Sequence, residues 1–214
     1  ASPDRRRRLP ARLEDARSEA TPPGKHIAGP GRGQQAWRVL IRRESSADRA
    51  EVREVVAAAF APASRGAAGR DEPVEARLVE ELRDGGTWLP RLSLVACDDA
   101  GAVVGQVMCS RGRVEATPVV ALGPLGVRPD RWRGGVGRAL VHAVLGAADA
   151  LDEPLVALLG DPAYYHRFGF RPAEEYGIGA PVPAWGAYFQ VRTLTAFTPA
   201  VRGAFAYPEP FDRV

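Results

Sequence analysis

Residues 122–140 read LGPLGVRPDRWRGGVGRAL. Glycines 134, 135 and 137 stand just ahead of an apolar run at helical spacing. Without a Cβ, the backbone there can turn tightly and let a ligand approach closely. The first N–H groups of the helix behind have no internal partner. With the helix dipole they form a ready anion site. Arg133 and Arg138 flank the glycines and Arg131 lies nearby. The chemistry on offer is the holding of a pyrophosphate. The loop lacks the Gly-Lys-Ser/Thr ending of a P-loop. A dinucleotide fingerprint opens a βαβ unit, with an acidic residue about 20 positions on. Asp152 and Glu153 fall near that distance, but this loop lies mid-chain, behind an expected hairpin and a strand broken by Pro124.

A second block, residues 158–173, reads LLGDPAYYHRFGFRPA. Asp161 is placed to cap a short helix over 162–168. Tyr164 stands at i,i+4 to Phe168, which is packing geometry. His142 lies about half a turn from the stripe Val136, Leu140 and Val144, so it is expected to face solvent. His166 is read the same way.

These segments need elements to position them. Alternation over 39–42 predicts an opening strand. Ser46 and Asp48 are expected to cap the next helix, whose buried stripe is Val52, Val55, Val56, Ala59 and Phe60. A loop over 61–72 leads to a second helix from Pro73, ended by Asp84-Gly85-Gly86. Strands follow at 92–97 and 103–114, paired as an antiparallel hairpin. The strand over 119–127 contains Gly123-Pro124. Proline cannot donate to a ladder, so a bulge or splay is expected there. A long helix spans 135–151. The wholly apolar 155–159 suits a buried parallel strand. Phe170 opens another strand, 188–194 forms a last one, and the Pro- and aromatic-rich C-terminus packs after it.

Composition bounds the rest. Residues 1–36 hold eight basic and four acidic residues, whereas the whole chain is +3, so residues 37–214 carry a net −1. The folded part therefore has no net basic character that points to nucleic acid. The first 36 residues are rich in Arg, Pro and Gly and read as a disordered tail. No stretch approaches the ~18 apolar residues of a membrane span. No apolar run follows the N-terminal arginines, so no secretory leader is expected. Cys97 and Cys109 sit in apolar strand-like runs and read as buried free thiols, which suits a cytoplasmic protein.

Together LGPLGVRPD, RGGVGRAL and the 158–173 block resemble the GNAT superfamily of N-acetyltransferases, in particular its YhbS-like branch. The resemblance covers about residues 37–214. It implies one mixed α/β domain, the GNAT acyl-CoA N-acyltransferase fold, with a splayed central sheet flanked by helices. It implies acetyl-CoA as co-substrate and no metal. The cofactor would be held by Leu125, Gly126 and Val127 along the splayed strand, and by Arg133, Gly134, Gly135, Val136, Gly137 and Arg138 at the loop. The implied reaction is direct attack of a primary amine, on a small molecule or a peptide, at the thioester. In the family a tyrosine four residues before the Gly of Gly-Phe protonates the CoA sulfur; here that is Tyr165. Glu75 on the second helix is a candidate base, with a water chain as the alternative. The chain departs from the family at position 132, where Gln or Arg is usual and Trp stands. A CoA-sensing module without turnover and a transferase for longer acyl chains stay open as other readings. No nucleic-acid or membrane partner is expected, and a homodimer is left open.

Overall fold

The computed structural model describes residues 38–64 and 72–213. The expected tail, and most of the 61–72 loop, lie outside the described residues. Among the described residues nine strands form one sheet in the order β1-β2-β3-β4-β5-β8-β6, with β9 paired to β3 and β7. The strands are β1 Leu40–Arg43, β2 Leu94–Cys97, β3 Val103–Val114, β4 Thr117–Val127, β5 Leu155–Leu159, β6 Arg171–Pro172, β7 Ile178–Gly179, β8 Phe189–Thr193 and β9 Gly203–Ala206. Helices α1 Arg49–Ser64, α2 Val74–Asp84, α3 Val136–Asp149 and the single turn α4 Pro162–Tyr165 complete it.

β2 is buried along its whole length, and alternation explains why. Leu94 and Ala96 pack toward α3, while Val95 and Cys97 pack toward α1 and α2. A strand covered on both faces must be apolar throughout. Each fully covered Val or Leu contributes roughly 1.5–3 kcal/mol of burial. α3 supplies Val136, Leu140, Val141, Val144 and Ala148 to its cluster. The other face carries α1, α2 and a third cluster with Phe189, Val191 and Phe205. The expected hairpin forms as β2 and β3, antiparallel, and β5 pairs parallel to β4.

Several boundaries move. Residues 90–92 form a 3-10 turn, so β2 starts at Leu94. α1 runs on to Ser64, into the stretch expected to be loop. β7 and β9 were not expected. β9 is recruited by the far end of β3, through Arg113↔Ala206 and Val114↔Phe205. The cap before α1 falls on Ser45 and not Ser46, because a 3-10 turn over Ser46–Asp48 precedes the helix. Asp48 keeps its capping part: it accepts from the Ser45 N–H at 2.7 Å. It also receives both terminal nitrogens of Arg42 at 2.7 Å, which ties β1 to the start of α1. Behind them the Arg83–Glu44 ion pair joins α2 to the end of β1, both side chains essentially inaccessible. Burial nevertheless holds the Glu44 carboxyl above its usual range.

The Arg42 hydrogen bonds, with help from Ser45, hold the Asp48 carboxyl well below its ordinary value of 3.8. A depressed carboxylate stabilises the fold above its unfolded pKa and loses that contribution as pH falls through its folded one. Asp48→Asn should therefore lose about 1.5–3 kcal/mol at neutral pH, the scale of charge-assisted hydrogen bonds. The gap to wild type should narrow as the pH drops below about 4. Urea unfolding of both proteins across that range measures it.

Candidate active site

β4 and β5 pair only through Val120↔Val156 and Ala121↔Ala157. Past that point they part. β5 continues against β8, through Leu158↔Gln190 and Leu159↔Phe189. β4 continues against β3 alone, to Gly105↔Val127. The register slips where Val107 faces Leu125 but Cys109 faces Leu122, so β4 carries one extra residue across Gly123-Pro124. The bulge expected from the sequence is present, and the strands splay at the same place.

The splay opens into a cleft of about 1070 Å³. One wall is the edge of β4, with Leu125 and Val127. A second is Ala59 and Phe60 of α1. The third is the loop and first turn of α3, residues 131–138, and Tyr164, Tyr165 and Arg167 close the foot. Among the described residues that line it, four are arginines, at 131, 133, 138 and 167, and none is acidic. The loop is held by its backbone. Arg133 takes the left-handed conformation at φ 61°, and Gly135, the residue before α3, takes it at φ 85°. Gly135 has no side chain to cap the helix. The N–H groups of Val136, Gly137 and Arg138 precede the first helical bond, from Ala139 N–H to the Gly135 carbonyl at 2.9 Å. They are donors without an internal partner at the end of a cationic cleft.

Close packing sets that end against the sheet. A Cβ on Gly105 would lie 2.8 Å from a Val136 methyl, so only glycine lets the first turn of α3 descend beside Val127. Arg131 ties the loop to the β2–β3 turn through Asp98 at 3.2 Å. Trp132 donates its indole N–H to the Val127 carbonyl at 2.7 Å. The residues usual at that position, Gln and Arg, also carry N–H donors, so the departure keeps the donor and changes the body that bears it.

The expected site residues divide. Leu125, Val127, residues 133–138 and Tyr165 line one cleft. Gly126 has no side chain, and a Cβ there would lie 3.5 Å from that of Ala59, so it brings only backbone to the cleft edge. Glu75 is buried in the first turn of α2 and is not among the lining residues. Asp161 accepts from the Ala163 N–H at 2.8 Å, the capping role expected of it. His142 is exposed, edge-on to Phe168 at 5.2 Å, and His166 is exposed too. Tyr164 does pack on Phe168, at 5.5 Å, but it also lines the cleft. Its hydroxyl lies 2.8 Å from where a Gly137 Cβ would stand, and Arg167 covers its ring at 5.1 Å. Tyr165 rests its ring on Gly160 at the end of β5 and against Phe170 at 5.7 Å. Burial pushes its phenol above the ordinary tyrosine range, and Tyr164 and Asp161 push it further. Ala59, Phe60 and Arg167 were not expected at the site. Helical periodicity marked the first two as apolar, but it does not separate a core face from a cleft wall.

This arrangement can hold an extended ligand with phosphates at one end, a strand edge along its middle and a phenol at its foot. A model of the acetyltransferase (GNAT) family matches residues 54–170. The uncharacterized N-acetyltransferase YhbS of Escherichia coli K12 is 36% identical over 147 residues, 67% of this chain and 86% of that protein. The crystal structure of Escherichia coli YhbS in complex with CoA superposes with a TM-score of 0.71 at 31% identity, covering 88% of this chain and 97% of that one. A GNAT acetyltransferase from Brucella melitensis in complex with acetyl-CoA gives 0.65 at 32% identity, covering 82% and 99%.

The Gly137–Tyr164 contact has a measurable consequence. Gly137→Ala should destabilise by about 1–3 kcal/mol, the cost of overpacking, because its Cβ meets the tyrosine oxygen. Tyr164→Phe in the same chain should recover most of that loss. A double-mutant cycle of melting temperatures tests the coupling, and simple additivity would place the cause elsewhere.

Proposed function

The chain belongs to the GNAT acetyltransferase family, and from that premise we propose that it transfers an acetyl group from acetyl-CoA to a primary amine. The observation that carries this reading is the cleft itself: a cationic, glycine-turned helix N-terminus opens onto a strand edge freed by the β4–β5 splay, with Tyr165 at its foot. The residues present fit acyl-CoA. The uncapped N–H groups of α3 suit the diphosphate, with Arg133 and Arg138 beside them. The freed edge of Leu125, Gly126 and Val127 suits the amides of pantetheine. The co-substrate supplies an activated acyl group as a thioester.

The chain does the rest. The loop fixes the phosphate end, so the reacting end is delivered in register along β4. Tyr165 keeps its proton through neutral pH, because burial raises its phenol. It donates that proton to the departing sulfur, which is general-acid work. Glu75 does not line the cleft, so water in the open cleft takes the proton of the amine. An aliphatic and aromatic amine panel, read by release of free CoA thiol, tests the activity. Tight CoA binding without thiol release from any amine would favour a sensing module.

Tyr165→Phe removes one oxygen and keeps the ring. The kcat should fall by ~10²-fold or more, while the KM for acetyl-CoA changes little, because the hydroxyl acts mainly in the transition state. The alkaline limb of the wild-type pH–rate profile should lie above the reference tyrosine value of ~10. Arg133→Ala should weaken CoA binding less than Gly135→Val does, because it removes an exposed charge and leaves the backbone donors in place. Calorimetry with CoA ranks the two.

A further inference from the structure

The described tryptophans are used in different ways. Trp88 carries the Arg83 guanidinium over its ring at 5.9 Å. Trp185 packs against Phe189 and Tyr207 at 6.3 and 6.2 Å. Trp132 has neither a ring nor a guanidinium stacked on it among the described residues, although Arg131 and Arg133 adjoin it in sequence. It is 49% exposed, and among the described residues the other exposed large apolar side chain is Leu40, on the edge strand β1. Its N–H is spent on the Val127 carbonyl at 2.7 Å, which fixes the indole by its edge at the wall of the cleft. An indole held by its edge, half exposed and with no ring or guanidinium on it among the described residues, offers a stacking surface.

The reading above, on which this inference rests, says which planar group comes there. In CoA the pantetheine is an open chain, and the planar part is the adenine, one ribose beyond the pyrophosphate. Trp132 stands three residues before the glycine that turns the phosphate loop. We propose that the Trp132 indole is the platform on which the adenine of CoA stacks, so that the aromatic residue at this position adds a nucleotide contact while its N–H keeps hold of β4. Gln or Arg there keeps the donor without an aromatic ring. Stacking on an aromatic is indifferent to the edge pattern of the base, so it needs no further polar partner.

The test separates the two jobs of the side chain. Trp132→Gln retains an N–H donor and removes the platform. Trp132→Phe retains a ring and removes the donor. Calorimetry with CoA, dephospho-CoA and 4′-phosphopantetheine reads each part of the ligand. The expected result is a Kd raised about tenfold for CoA and dephospho-CoA in Trp132→Gln, the scale of base–aromatic stacking. Affinity for 4′-phosphopantetheine, which has no adenine, should not change, and Trp132→Phe should keep most of the CoA affinity. CoA should also quench a tryptophan emission component that both variants lack, and 4′-phosphopantetheine should leave it intact. Equal losses for CoA and 4′-phosphopantetheine would overturn the proposal, because the ring would then act through the strand. No loss for either would overturn it as well, leaving a solvent-facing ring. Wild-type protein that binds no CoA in the same titration would instead overturn the cofactor reading, and the platform with it.

Discussion

Everything at the site depends on two strands that stop pairing after two residues. An open sheet edge inside a protein leaves carbonyl groups without partners, and such groups are costly when buried. Here each arm of the splay is served by a buried glutamine. Gln106 donates its side-chain amide to the Pro124 carbonyl on the β4 arm at 3.1 Å. Gln190 does the same for Gly160, just past the β5 arm, at 2.9 Å. Both glutamines are almost wholly inaccessible. Their amides satisfy two carbonyl groups beside the opening, one in the bulge of β4 and one just past the end of β5. The bulge across Gly123-Pro124 acts in the same direction, since proline has no N–H with which to continue a ladder.

The loop depends on the splay in turn. It carries backbone strain: Arg133 holds a left-handed conformation that side chains adopt with difficulty, next but one to Gly135, which adopts it freely. Such strain persists only where the surroundings over-determine it. Three contacts do so. Gly105 admits the first turn of α3 onto β3, Arg131 reaches Asp98, and Trp132 clasps the Val127 carbonyl. The last of these ties the loop to the strand edge.

Much of this was legible in the residues, and where it was not the reason is physical. β5 was readable to the residue because it is a wholly apolar run, and β3 because a Val-rich stretch follows the Asp98–Gly101 turn. Gly123-Pro124 marked the bulge because proline's missing donor is a local fact. Asp161 was readable as a cap for the same reason. β9 was not, because GAFA is short and its stability comes from pairing about 90 residues away, at Arg113 and Val114. Ala59 and Phe60 were seen as apolar, yet period alone does not say whether water or protein lies beyond. Tyr164 was read as packing from its spacing to Phe168. That contact exists, but its hydroxyl reaches Gly137, a meeting of two segments that only the fold brings together.

The cleft's arginines are not shared equally between its two tyrosines. Arg131, Arg133 and Arg138 stand at the loop, where charge on a ligand would be held. Arg167, at the foot, covers Tyr164 and eases the ionisation of that phenol against the effect of burial. Tyr165 has no such help. Burial and its neighbours Tyr164 and Asp161 all act in one direction, to keep its proton on. An arginine against Tyr165 would act the other way and favour the phenolate. The loop therefore holds three of the cleft's arginines, Arg167 attends Tyr164, and the neighbours of Tyr165 all favour its protonated form.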